Sequence, residues 1–99
     1  MVNGLPEVVT GGYFSIFRGA SLLASHASYR EQAVEIAEYF ERIARTTEPV
    51  IAVCLNLAGE LYAKLGRTED AQRLEAELRD MGDITSVEYA ERIRRGINF

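Results

Sequence analysis

Along most of this chain apolar side chains recur every three or four positions, the spacing of a helix with one buried face, and no convincing strand emerges. Five segments carry the pattern. In residues 12–26, Tyr13, Phe17, Ala20 and Ala24 make one stripe, which Ile16 and Leu23 widen. Gly11-Gly12 is expected to break this helix from Val8-Val9-Thr10, and Pro6-Glu7 could start a short extra turn upstream. Residues 29–44 bury Ala33, Ile36, Ala37, Phe40, Ile43 and Ala44 and turn Arg30, Glu31, Glu35, Glu38, Glu41 and Arg42 outward. Ser28 and Glu31 read as a capping box for that helix.

The third segment, residues 49–65, differs. Val50 to Leu55 and Leu57 leave almost no polar face before Glu60, so this helix is expected at the centre of the domain. Pro49 suits its first turn, and Gly66 is placed to stop it in the left-handed conformation. Residues 69–81 follow, with Thr68 as N-cap, a stripe of Ala71, Leu74, Leu78 and Met81, a charged outer face and a stop at Gly82. In the last helix, residues 86–95, Thr85 and Glu88 form a second capping box, Val87, Ala90 and Ile93 point one way, and Gly96 closes it.

Two of these helix pairs repeat one another. With Ala33 laid on Ala71, Glu31 falls on Glu69, Ile36 on Leu74, Phe40 on Leu78 and Ile43 on Met81. Upstream, Leu23 falls on Leu61, Ala20 on Ala58, Phe17 on Leu55 and Ile16 on Cys54. Large meets large and small meets small, 38 residues apart. A fixed period of this length is the mark of stacked helical hairpins. The small residues Ala20, Ser21, Ala33, Ala58, Gly59 and Ala71 let helix axes approach closely, and a bulkier side chain there would cost about 1–3 kcal/mol.

The chain resembles the tetratricopeptide repeat family at those places. That family has a small residue midway along its first helix, an aromatic three residues later, a glycine at the turn and an alanine early in the second helix. Gly59, Tyr62, Gly66 and Ala71 match, and "LGRTEDA", residues 65–71, looks like its inter-helix turn. Ser21, Ala24, Ser28 and Ala33 fill the same places less well, and the period exceeds the family's 34 residues. The excess is assigned to a longer loop at residues 45–48. The resemblance implies an all-α domain over residues 1–99: a loosely ordered stretch at 1–11, hairpins at 12–45 and 49–82, and a capping helix at 85–96.

A narrower resemblance is to the G-type needle-subunit chaperones of bacterial type III secretion. It lies in "REQAVEIAEYFERI", residues 30–43, where Ala33, Ile36, Ala37, Glu38, Tyr39, Glu41 and Arg42 match, and in "SVEYAERIRRGINF". It covers the chain from Leu22 onward; the N-terminal part does not match. It implies a cytoplasmic chaperone that holds an amphipathic helix of a needle subunit in a concave groove, often with a small co-chaperone, and prevents premature polymerisation. Carried onto this sequence, the groove positions are Ser15, Arg18, Leu22 and His26 on the first helix and Val53, Asn56, Glu60 and Lys64 on the third. Asn56 and Glu60 interrupt an otherwise apolar helix, and Lys64 can reach Glu60 one turn away. Phe14 and Tyr39 lie beside the main stripes and are candidate exposed aromatic contacts. The alternative is a structural or adaptor domain that forms a homodimer through an apolar helix face.

Composition narrows the chemistry. The chain has 99 residues, 47% hydrophobic and 26% charged, enough for one domain with a modest core. Its net charge of −4 does not suit nucleic acid, and the basic cluster Arg92, Arg94, Arg95 reads as the end of a helix. No apolar run approaches a membrane span, and residues 1–10 lack the basic and apolar regions of a signal peptide, so a soluble cytoplasmic protein is expected. His26 is the only histidine and Cys54 the only cysteine, with nothing in sequence to pair them. Gly11-Gly12 lacks the lysine of a phosphate loop, and Glu35, Glu38 and Glu41 read as a solvated face. Neither a metal, a cofactor nor an enzymatic activity is expected.

Overall fold

The computed structural model describes residues 5–98, and side chains from Ser15 onward. Its regular structure is all helical: α1 (Leu5–Ala24), α2 (Arg30–Ala44), α3 (Ala52–Lys64), α4 (Thr68–Met81) and α5 (Ile84–Asn98), with a 3-10 turn at Ala27–Tyr29. Among the described residues there is no strand.

The nearly all-apolar α3 takes the centre. It touches each of the other four helices, whereas α1 meets only α2, α3 and the 3-10 turn, and α5 meets only α3 and α4. The shortest principal extent is 18 Å, room for two layers of helices packed at about 8–10 Å. Phe40, Leu55, Leu57, Leu61, Leu74, Leu78 and Ile93 are fully buried and build one core. The small residues bring backbones together: a Cβ on Gly59 would overlap Ile93 Cδ1, and one on Gly96 would stand 3.1 Å from the Ala63 Cβ.

Gly66 and Gly82 stop α3 and α4 with φ of 78° and 82°, the left-handed conformation their sequence positions imply. Other boundaries differ from the sequence expectations. Residues 1–4 lie outside the described residues, but from Leu5 onward α1 is continuous and Gly11-Gly12 does not break it. A helical glycine costs only about 1 kcal/mol, and Pro6 sits in the first turn, where a missing N–H is tolerated. Pro49 is not in α3: it follows a cis peptide bond, and the helix begins at Ala52 after Ile51 donates its N–H to the Ala44 carbonyl at 2.9 Å. Ser28 lies in the 3-10 turn and makes no cap, because Tyr29 and Arg30 already donate their N–H groups to His26 and Ala27. Thr68 is the first residue of α4 rather than its cap. At α5 the carboxylate of Asp83, not Thr85, accepts the Ser86 N–H at 3.0 Å, and that bond holds Asp83 below its ordinary value. Gly96 does not end α5; it lies inside it, where α5 crosses Ala63.

Two carboxylates hold helices together from the side. Glu41 of α2 accepts from Arg45 at 3.0 Å, Arg73 at 2.7 Å and the Tyr62 hydroxyl at 3.3 Å, and Arg45 also reaches Glu77, so α2 and α4 are tied across a gap their backbones do not close. Glu75, expected on the charged outer face of α4, is buried between Arg79 and Arg94, each 3.0 Å away. Arg94 is therefore a tie between α5 and α4 and not part of a free basic cluster. Arg92 stacks over the Tyr89 ring at 5.6 Å.

Candidate protein-binding cleft

The C-terminal turns of α1, α3 and α5 come together with the first residues of α2 and α4. They surround an open cleft of about 750 Å³, a size common to concave ligand sites. Phe17 and Ser21 come from α1; Glu60, Ala63 and Lys64 from α3; Gly96 and Ile97 from α5. Arg30 and Thr68 close one end beside Gly66.

Arg30 explains why that end holds its shape. The last carbonyls of a helix have no intrahelical donor. The Arg30 guanidinium donates to the Ala24 carbonyl at 3.4 Å and, by a short bond, to the Leu65 carbonyl. One side chain from the start of α2 thus fastens the ends of α1 and α3. The floor is apolar and small, since Ala63 and Gly96 meet there.

The side chains of α3 are set differently from the sequence expectation. Asn56 is buried, only 2% exposed, and its Nδ2 donates to Glu60 Oε2 at 2.8 Å. Its Oδ1 has no protein partner. Lys64 is exposed, and the expected Glu60–Lys64 bridge is not formed: among the described residues Lys64 has no carboxylate within 4.0 Å. Val53 is half-buried against the core.

Of the eight positions expected to face a partner, the cleft takes Glu60 and Lys64. Ser15, Arg18, Leu22 and His26 are all exposed, yet α1 lines the cleft with Phe17 and Ser21, one position behind Arg18 and Leu22. One residue is about 100° of helix, enough to move a side chain off the face. Tyr39 is 38% exposed and does not line the cleft. Phe14 lies outside the described side chains. Gly96 and Ile97 were not foreseen as lining residues, although a signal existed. They stand 38 residues after Ala58 and Gly59, as Ile93 does after Leu55, which is the spacing found between the first two helix pairs.

The arrangement offers binding surface and little reactive chemistry. Cys54 is fully buried, and burial pushes its thiol up to about 11. His26 is exposed and meets the Tyr29 ring edge-on at 6.3 Å. Among the described residues there is no group of three or more side chains that could hold a metal ion. A smaller hollow of about 310 Å³ beside Glu41 is lined by arginines and carboxylates already bonded to one another. No family model matches the chain, and no curated protein or solved structure matches it. Its function is therefore read from the helices and the cleft. No described helix is long and apolar enough to cross a membrane.

Proposed function

We propose that this protein is a helical-repeat binding module whose cleft between α1, α3 and α5 holds an amphipathic helix of a partner protein. The observation that carries the reading is the cleft itself: α1, α3 and α5 all line it, with apolar side chains at Phe17, Ala63 and Ile97 and charged ones at Arg30, Glu60 and Lys64. Burial along the repeat register supports it, since Ala20 and Ala58, Ala33 and Ala71, and Phe40 and Leu78 are all at 0% exposure. On this reading the protein is not an enzyme. It works in the cytoplasm, and its closest functional analogy is the needle-subunit chaperone that its helix α2 resembles. Co-purification tests this. Expressed alone the chain should self-associate or behave poorly, and co-expression with a small helical partner, such as a needle subunit with its co-chaperone, should solubilise it. A stable monomer that ignores every such partner defeats the proposal.

A second reading, a homodimer through an apolar helix face, draws support from α1. Leu22 is 70% exposed and Ile16 39%, on a helix covered on one side only. Light scattering over a range of concentrations separates the two readings. Leu22→Asp would abolish a dimer through α1 while leaving the cleft occupied.

A further inference from the structure

Lys64 lines the cleft without a carboxylate partner among the described residues, in a chain with 15 acidic and 11 basic side chains. Two local features keep it that way. Arg30 already satisfies the carbonyls at the ends of α1 and α3, so the ammonium of Lys64 is not needed there. Glu60, one helical turn before Lys64 and the natural neutralising group, is held by the buried amide of Asn56 at 2.8 Å. Burying Asn56 leaves its Oδ1 without a partner among the described residues, an unfavourable arrangement. An apolar residue in its place would avoid that cost and would release Glu60 to swing onto Lys64.

Building on the cleft reading above, we infer that the helix seated there carries a carboxylate side chain opposite Lys64, on the flank of a stripe of apolar or small residues that meets Phe17 and Ile97. Asn56 acts as a positioning residue: by holding Glu60 it keeps Lys64 free for the partner. The charge of Lys64 then sets the register of the partner helix. Complementary charge across an interface fixes register and rejects wrong partners more than it adds affinity.

The test uses a displayed library of amphipathic helices of about 20 residues, with a fixed Leu/Ala stripe and randomised flanks. It is panned against the full-length protein and its variants, each checked for folding by circular dichroism. The wild type should enrich Asp or Glu at one flanking position, and Lys64→Glu should enrich Lys or Arg at the same position. The best acidic helix should bind Lys64→Glu about tenfold more weakly than wild type, and its Gln counterpart should show no such difference. Asn56→Leu should narrow the preference for the Glu helix over the Gln helix without weakening the fold, an effect that a purely structural asparagine would not produce. The same consensus from wild type and Lys64→Glu would overturn the inference while leaving the cleft reading standing. Equal selection by wild type and Ile97→Asp would overturn the cleft reading, as would the failure of any helix to be selected.

Discussion

Replacing Gly59 by alanine adds one methyl group to the molecule, and the structure says where it must go. The new Cβ would overlap Cδ1 of Ile93 and stand 2.8 Å from its Cγ1, and Ile93 is itself completely buried. Forcing a methyl into a filled core costs about 1–3 kcal/mol. Alanine returns up to about 1 kcal/mol as the better helix former. The net expectation is a loss of about 1–2 kcal/mol, and for a domain of this size each kcal/mol lowers Tm by about 4–8 °C. Gly19 is the internal control. It is helical and exposed, and an added Cβ there meets nothing within 4 Å, so Gly19→Ala should gain about 0.5–1 kcal/mol. Urea unfolding followed by far-UV circular dichroism measures both. A double-mutant cycle sharpens the cause. Ile93→Val alone should cost about 0.5–1.5 kcal/mol, but in the Gly59→Ala background it removes the nearer of the two overlapping atoms, Cδ1, and should cost less. If Gly59→Ala stabilises the protein as Gly19→Ala does, α3 and α5 do not approach as described.

Three further outcomes are expected. Arg30→Ala should destabilise by about 1–2 kcal/mol, since two helix-end carbonyls lose their charged donor, and Arg30→Lys should recover only part of it because an ammonium lacks the guanidinium fork. Glu41 is held below its ordinary value near 4.5, first by the bond from Arg73, and Glu77 is lowered likewise by Arg45. Carboxyl groups lowered in this way contribute stability that is complete above the unfolded-state value and is lost as pH falls through the folded one. The urea midpoint should therefore drop as pH is taken below about 4.5, and Glu41→Gln, already weaker at neutral pH, should show a shallower drop. Cys54 should resist iodoacetamide in the folded protein at about pH 8 and react once urea is added, because its thiol is both buried and hard to ionise.

The helices themselves were legible in the sequence because their signals are local. Period-3.6 stripes, the stops at Gly66 and Gly82 and the near-absence of a polar face on α3 each depend on residues within a turn or two of one another. What the sequence hid depends on distant ones. Gly96 has the appearance of a stop until Ala63 is found against it, and its role is close packing. Glu75 is one more charge on a charged face until Arg94 arrives from α5 to cover it. Asn56 was expected on the wet side of α3; its burial instead turns it toward Glu60, and the bridge from Glu60 to Lys64 is lost. On α1 the exposed line through Arg18 and Leu22 was visible, while the cleft is lined by the neighbouring line through Phe17 and Ser21. Caps were misread for the same reason, since Asp83 and Thr85 are equally good candidates until the backbone shows which one the Ser86 amide meets.

The position of α3, in touch with all four other helices while α1 and α5 do not meet among the described residues, has a bearing on how the molecule opens. Detaching α1 would uncover parts of α2 and α3 and leave the α3–α4–α5 packing untouched. Losing α3 would remove Cys54, Leu55, Leu57, Ala58, Leu61 and Tyr62 from the core at once. Amide protons should therefore exchange with solvent in a graded order, with α1 giving up its protection through partial openings and the middle of α3, around Leu55 to Leu61, exchanging only when the whole chain unfolds. The cleft has one wall on α1 and another on α3, so a partial opening that frees α1 would widen it without unfolding the rest.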